Sequence, residues 1–412
     1  MSHNESLIYL TYDIGRIIRK KLNETDTVMD DDSIRTMIQK VVLESELTEQ
    51  LGLNDKKILT ESVFSSLRRE LDFLQKYLED PEISEIMVNG CDTIFIEKKG
   101  EIIKIPEYFP SEKELEEIIL RIGARVHREI NEMNPILDAR LEDGSRVNAV
   151  YKNIAIDGPT MNIRKFPSNR ITMEDLVNLD SVTLEAAEFL KTLVICGYNI
   201  FLSGGTSSGK TTFLNALSDF IPSNERVIVI EDSAELQLDK IENIVRMETK
   251  HANVQGKGEI TMRSLIKTSL RMRPDRIIVG EVRGDEVVDM INSMNTGHAG
   301  SLCTGHANSA KGMISRLETM FLTAASFPII AIRGQIDSAV DVIVHLGRLK
   351  DKSRRVLEIT EIVGVENGEV VLNPLFEYRI VHNEAGKHGE LKRTENRMVN
   401  TLKLEMRGGS VA

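Results

Sequence analysis

At 412 residues the chain has room for two domains or three with sizeable cores, and its composition is that of an ordinary globular protein. A net charge of −12 argues against a protein-wide grip on nucleic acid but leaves room for a local basic groove. Cys91, Cys196 and Cys303 lie far apart and form no Cys-x-x-Cys pair, which supports neither a zinc ribbon nor a disulfide framework.

The first residues, 1–6, are polar and lack a basic stretch followed by an apolar one, so no secretory signal is expected. Leu7, Leu10, Ile14, Ile17, Ile18 and Leu22 recur at helical spacing. An acidic break over 23–32 follows, and then Ile34, Met37, Ile38, Val41 and Val42 mark a second amphipathic helix. Residues 1–58 are expected as a helical N-terminal extension, either an accessory module or a partner-dependent arm. Residues 59–164 carry a helix with Val63, Leu67, Leu71, Leu74 and Leu78, strands around Asn89-Gly90, and a strong amphipathic helix over 112–130. Short strands follow over 136–150, and a last one ends at Met161-Asn162-Ile163-Arg164. This is a smaller α+β domain. Residues 165–171, with Pro167, Ser168 and Asn169, are expected as a linker.

From Thr172 helices and strands alternate, which predicts an α/β domain over 172–380 with a sheet flanked by helices. Buried-type strands are expected at 198–203, 226–230 and 276–280, and helices at 184–196 and 262–272. The most apolar stretch, 320–332, contains Thr323 and Ser326 and is too short to cross a bilayer. Residues 381–412 read as a polar tail whose weak helical pattern has sparse apolar positions. A cytoplasmic location is expected, with any membrane contact made through partners or a surface patch.

The segment Gly204-Gly205-Thr206-Ser207-Ser208-Gly209-Lys210-Thr211-Thr212 fits the phosphate-binding loop G-x-x-x-x-G-K-[ST]. A strand precedes it, and Phe213, Leu214, Leu217 and Ile221 give the following helix an apolar face. Glycines let backbone N–H groups turn toward phosphate, and the helix N-terminus adds positive potential. Lys210 is placed on the β- and γ-phosphates and the Thr211 hydroxyl on Mg²⁺. A glycine turn that only joins strand to helix is the alternative, and the Lys-Thr pair after the last glycine disfavours it.

Two buried strands end in acid: Glu231-Asp232, continuing to Glu235, and Gly280-Glu281. Ligand chemistry in open α/β sheets gathers at the carboxyl ends of strands, where the phosphate loop also sits. One acid can orient or deprotonate the attacking water while another, Asp232, holds Mg²⁺ through water. Helix capping is the competing role, above all for Asp232. The usual second NTPase motif ends its strand with Asp, whereas this strand ends in Gly280-Glu281 with Asp275 at its other end. His298 and His306, with Cys303 between them, match no common zinc spacing and are expected in a polar loop that senses the γ-phosphate. Arg140, Arg146 and Arg164 are phosphate-binding candidates by their planar fork, or else solvated surface groups.

Taken together, Glu85-Ile86-Met87-Val88-Asn89-Gly90, Leu137 to Leu141 with Asp143 to Arg146, the phosphate loop, Glu231 to Leu236, Leu270 to Arg276 with Gly280 to Gly284, and Met294 to His298 with His306-Ala307-Asn308 resemble the type II/type IV secretion ATPases. The resemblance runs from about Leu71 to Leu375 and is closest to the CpaF-like branch of Tad/Flp-type pilus assembly. It implies a PAS-like N-terminal domain, a RecA-like ATPase domain, a homo-hexameric ring, and ATP with Mg²⁺ as ligands. It implies that Glu231 to Glu235 are an Asp box and that Arg276 to Glu281 are an atypical Walker B, for which a Gly-Glu ending is normal. His298 and His306 would belong to a His box. Arg140, Arg146 and Arg164 would face nucleotide, some of them across a subunit boundary. The tetracysteine insert of the general secretion ATPases is missing, which favours the pilus branch. The implied function is an ATP-hydrolysing motor driving polytopic inner-membrane platform proteins from the inner face of the membrane. Three other readings stay open: a nucleic-acid translocase of the conjugation type, a nucleotide-gated scaffold with little hydrolysis, and a small-molecule kinase. Negative charge and the lack of an aromatic-basic groove disfavour the first, so no nucleic-acid partner is expected. Glu281 disfavours the scaffold, and no acceptor-binding segment supports the kinase.

Overall fold

Apolar residues at helical spacing become helices and short apolar runs become strands in the computed structural model, which describes residues 3–23, 29–68, 71–126, 128–165, 170–250, 252, 256–383 and 386–408. Of the segments read above, 24–28, 69–70, 127, 166–169, 384–385 and 409–412 lie outside the described residues, so most of the expected linker does too. The chain divides into two units, Met1–Ser168 and Asn169–Ala412.

In the first unit, α1 (His3–Asn23), α2 (Asp31–Glu44) and α3 (Leu53–Arg68) share a core of Ile14, Ile18, Ile34, Ile38, Leu59 and Val63. Asp30 caps α2 by accepting a hydrogen bond from the Ser33 N–H, and Asp31 and Asp32 complement the helix dipole in its first turn. The expected boundary at 58/59 therefore falls inside α3. Its apolar face belongs with α1 and α2, whereas Leu71, Leu74 and Leu78 belong to the next core. One run of helical spacing is shared between two cores because the chain turns at Asp72, whose φ is +55°.

That next core lies under a six-stranded antiparallel sheet. It comprises α4 (Gln75–Glu79), β1 (Ile83–Asn89), β2 (Ile94–Lys98), β3 (Glu101–Lys104), α5 (Glu112–Arg125), β4 (Ile136–Arg140), β5 (Arg146–Val150) and β6 (Thr160–Arg164). The strand order is β3-β2-β1-β6-β5-β4. Strand alternation sends Leu137, Val147, Ala149, Met161 and Ile163 inward, so the other face is polar. On it the register sets Arg140 opposite Arg146, Arg146 opposite Arg164, and Arg164 opposite Glu85.

The second unit has α6 (Met173–Asn178), α7 (Leu184–Ile195), β7 (Ile200–Gly204), α8 (Lys210–Ser218), β8 (Val227–Glu231), β9 (Ile244–Glu248), α9 (Met262–Ser269), β10 (Arg276–Val279), α10 (Glu286–Asn295), β11 (Leu302–His306), α11 (Ala310–Ala324) and α12 (Ile329–Ala339). It continues with β12 (Val342–Arg348), β13 (Arg354–Glu366), β14 (Glu369–Asn383), β15 (Gly386–Arg393) and α13 (Leu402–Met406). The strands make one sheet in the order β15-β14-β13-β12-β7-β11-β10-β8-β9. From β12 to β9 the pairing is parallel, and from β12 to β15 it is antiparallel. Both faces are covered: Ile200, Leu202, Val227 and Val229 pack on one side, and Phe201, Ile228, Ile230 and Ile277 on the other. This is why these strands read as continuous apolar runs rather than alternating ones.

Residues 381–412 were expected as a polar tail. Instead β14 runs past 380, β15 pairs along it, and the following segment docks on the sheet. Glu361, fully buried, accepts the backbone N–H groups of Val399 (2.9 Å) and Asn400 (2.7 Å), and the Tyr198 hydroxyl donates to the Asn400 carbonyl (2.6 Å). Leu391 and Leu404 are the buried apolar contacts. Apolar positions are sparse here because an edge strand and a docked segment bury little side chain, and polar contacts hold the rest.

Candidate phosphate site

All six parallel strands point their carboxyl ends the same way, so Gly204, Glu231, Gly280 and His306 come to one edge of the sheet. The phosphate loop begins there. A Cβ on Gly204 would lie 2.5 Å from Ser208 Oγ and 2.6 Å from the Leu346 carbonyl, so only glycine fits. Ser207 and Gly209 have φ of +56° and +93°, which turns 205–209 into a cradle closing on the N-terminus of α8. Ser208 Oγ is buried and has no hydrogen-bond partner among the described residues. Thr206 lies on the cradle, and Thr211 and Thr212 are half-buried in the first turn of α8. The Lys210 ammonium donates to the carbonyls of Gly204 (3.1 Å) and Gly205 (2.9 Å). Burial lowers its pKa, and the Glu281 charge partly offsets this.

His306 joins this lysine to an acid. Its Nδ1 is 3.3 Å from Lys210 Nζ, and its Nε2 is 2.8 Å from Glu281 Oε1. The ammonium can only donate, so Nδ1 accepts and Nε2 carries the proton. Burial lowers the pKa of His306 although Glu281 opposes it, so the ring is neutral near pH 7. The Nε2–Oε1 approach is out of line for a hydrogen bond, which leaves Glu281 Oε1 a buried oxygen with no hydrogen-bond partner. Glu281 Oε2 accepts from Arg283 (2.9 Å), and Arg283 also lies 3.8 Å from Asp232. An orphaned carboxylate oxygen, an orphaned hydroxyl and a lysine held by two carbonyls surround one loop. Each is satisfied by a polyanion with its water or metal ion.

Glu231 has a different place. It is 3% exposed, and its Oε1 accepts the N–H groups of Glu235 (2.9 Å) and Leu236 (3.0 Å). Burial pushes its pKa up to about 7. A Cβ on Gly280 would sit 3.0 Å from Glu231 Cγ, which accounts for glycine where an Asp was looked for: that space belongs to Glu231. Glu231 braces the loop that carries Asp232 and Glu235, both half-buried. Asp232 Oδ1 accepts from the Thr249 hydroxyl (2.7 Å).

His298 is the expected residue that the fold does not bring to this cluster. The sequence places the two histidines in one polar stretch, but β11 lies between them. His298 precedes the strand, with Nδ1 3.1 Å from the Ser293 carbonyl, and His306 ends it. Five extended residues separate the two ends by about 15 Å. Arg140, Arg146 and Arg164 belong to the first unit, as the row on its polar face. Residues the sequence did not single out also enter the site. Arg283 clasps Glu281, and Thr304 Oγ1 donates to the Gly280 carbonyl (2.7 Å). His345, buried on β12, has Nδ1 3.1 Å from Ser203 Oγ beneath the phosphate loop. A histidine inside the apolar run 342–346 was the available signal.

A family model described as type II/IV secretion system protein matches residues 68–398. The matched segment thus leaves out nearly all of α1–α3. An uncharacterized protein of Methanocaldococcus jannaschii is 42% identical over 240 residues, covering 56% of this chain and 33% of that protein. The conjugal transfer protein TrbB of Rhizobium radiobacter is 33% identical over 295 residues, covering 70% of this chain and 87% of TrbB. The type IV secretion system protein VirB11 of Brucella suis is 31% identical over 313 residues, covering 68% and 86%. The X-ray structure of the Yersinia pseudotuberculosis ATPase DotB has the same mixed α/β fold, with a TM-score of 0.52 at 18% identity over 72% of this chain and 80% of that one. The chain therefore spans a third of the first relative and more than four fifths of TrbB and VirB11.

Proposed function

We propose a function for a chain that belongs to the type II/IV secretion system protein family: it is an ATP-hydrolysing motor subunit that acts as a homo-hexamer. The observation that carries the reading is the Lys210–His306–Glu281 cluster at the phosphate loop, with Glu281 Oε1 and Ser208 Oγ buried and unpartnered. The loop amides from Gly205 to Thr212 and the Lys210 ammonium bind the phosphates. The residues present fit Mg²⁺: Thr211 is in the first turn of α8, and Asp232 stands at the end of β8. Bound there, Mg²⁺ would neutralise charge on the phosphates. Glu281 orients and deprotonates the attacking water through Oε1, and Arg283 fixes its other oxygen. Glu231 and Glu235 shape the neighbouring loop. Neutral His306 links Lys210 to Glu281, so a change at the γ-phosphate is felt at the acid. Arg140, Arg146 and Arg164, opposite one another across strands, would meet nucleotide phosphate, as the resemblance implies.

The finer assignment is the CpaF-like branch, in which hydrolysis drives polytopic inner-membrane platform proteins of a Tad/Flp-type pilus. The motor would work at the inner face of the membrane. Among the described residues no helix is long and apolar enough to cross a membrane. A second reading, a conjugation-type motor, is favoured by TrbB, named for conjugal transfer and matched over 87% of its length. Purified chain with MgATP tests both. We expect steady turnover, its loss in Lys210→Ala with the fold retained, and no stimulation by single- or double-stranded DNA. Wild-type turnover in a folded Lys210→Ala chain sinks the motor reading, and strong DNA stimulation replaces the pilus reading with the conjugative one.

A further inference from the structure

The phosphate loop is clasped from outside by a residue that none of its motifs contains. β12 pairs in parallel with β7, and the end of β12, the turn after it and the start of β13 carry Arg348, Lys350, Lys352, Arg354 and Arg355 against the single acid Asp351. This is a basic turn in a chain of net charge −12. The turn is built rather than loose. Leu349 N–H donates to the Ser353 carbonyl (2.8 Å), Lys352 N–H to the Leu349 carbonyl (3.0 Å), and Ser353 N–H to Asp351 Oδ1 (2.9 Å). It aims Arg354 at the loop: Nε donates to the Ser207 carbonyl at 3.1 Å. The Arg354 stem crosses Gly209, where a Cβ would lie 3.3 Å from Arg354 Cδ. Both contacted residues have positive φ, so the arginine touches the two corners that shape the cradle.

Electrostatics gives this placement a meaning. The N-terminus of α8 is already positive, and the Lys210 ammonium is inside the loop. Arg354 is exposed and its charge is hydrated, and an anion bound at the N-terminus of α8 beside Lys210 would draw it in as well. Among the described residues the Arg354 guanidinium forms no ion pair, whereas its neighbour Arg355 lies 3.8 Å from Asp180; Nε of Arg354 donates to the Ser207 carbonyl. The two Nη groups remain for a ligand. Independently, Ser208 Oγ is buried without a partner in the same loop, so the cradle itself lacks an occupant's oxygens.

We propose that Arg354 is a further phosphate ligand of the nucleotide, supplied by the β12–β13 turn of the same chain as the phosphate loop. This rests on the nucleotide-binding reading above and adds a residue to it. Nε holds the loop and the Nη groups hold phosphate oxygen, so loop shape and ligand charge are read by one side chain.

The test uses the full chain, fluorescent ADP and ATP with Mg²⁺, and titrations at several salt concentrations. Arg354→Gln keeps a donor for the Ser207 carbonyl and loses the charge. We expect it to bind both nucleotides about tenfold more weakly. Its affinity should also depend less on salt than that of the wild type. Arg354→Lys should fall between Gln and wild type. Lys350→Gln, which removes the same charge from the exposed turn, should bind as the wild type does. Lys210→Ala, which should not bind, reports on the underlying site. If Arg354→Gln matches the wild type in affinity and salt slope while Lys210→Ala fails to bind, Arg354 only clasps the loop and the proposal is overturned with the site intact. If Lys350→Gln loses as much as Arg354→Gln, the turn acts through its general field and Arg354 is no ligand. If the wild type binds neither nucleotide, the phosphate site and this proposal fall together.

Discussion

Replacing Glu281 by Gln removes one charge and almost no volume, so it separates the chemistry of this carboxylate from its packing. Oε2 accepts from Arg283 at 2.9 Å, and Oε1 is buried, without a hydrogen bond, 2.8 Å from His306 Nε2. Gln has one oxygen and one NH₂. If the oxygen keeps Arg283, the NH₂ faces the proton on His306 Nε2, and two donors meet. If it turns, the NH₂ faces the Arg283 guanidinium. Either way one contact becomes repulsive. Glu281 and Arg283 are partly exposed, so we expect only about 1 kcal/mol of lost stability. Turnover should suffer far more. An acid or base positioned at a reacting water contributes about 10²–10⁴-fold, or about 3–5 kcal/mol of barrier. Nucleotide affinity should change by no more than about threefold, because Lys210 and the loop amides are untouched. The assay is kcat from phosphate release beside the Kd of fluorescent ATP and the melting temperature. Equal losses in Kd and kcat would make Glu281 a metal-binding or structural residue, and wild-type turnover would remove it from the chemistry. Glu235→Gln is the parallel measurement. Its amide, rather than its carboxylate, braces Glu231, so it should lose less turnover.

Gly280→Ala places a methyl 3.0 Å from Glu231 Cγ and should cost about 1–3 kcal/mol in a melt, with Glu231→Ala relieving part of it in the double variant; a fully additive pair refutes the contact. The Glu231 carboxyl has its pKa raised to about 7 from 4.5, so the folded chain holds that proton more tightly than the unfolded one, and stability from this group falls as pH rises from about 4.5 to 7. Glu231→Gln should therefore gain on the wild type between pH 5 and pH 8, by on the order of 2–3 kcal/mol; an unchanged difference in melting temperature at the two pH values contradicts this. For the arginine row, mixed assemblies of inactive Lys210→Ala chains with inactive Arg140→Ala, Arg146→Ala or Arg164→Ala chains should recover part of the turnover, as an arginine supplied by a neighbouring chain requires. No recovery for any of the three in fully mixed assemblies ends the shared-site idea.

The phosphate loop, the acids after two buried strands and the α/β class were legible in the sequence because each is a local pattern. Glycine freedom, helix periodicity and apolar runs act over a few residues, and those residues are contiguous. What the sequence left out depends on partners far apart in the chain. The resemblance makes Gly280 normal for the motif, but the reason a glycine stands there is the packing of Glu231 against it, 49 residues away by number. His298 and His306 look alike eight positions apart, yet a strand carries them to opposite edges of the sheet, and only His306 reaches Lys210. Val63 and Leu71 share one helical pattern and enter different cores. The polar end of the chain lacked an apolar signature because buried acids such as Glu361 hold it through backbone N–H groups, which composition does not record. Local stereochemistry wrote the motifs, and tertiary packing decided which of their side chains face one another.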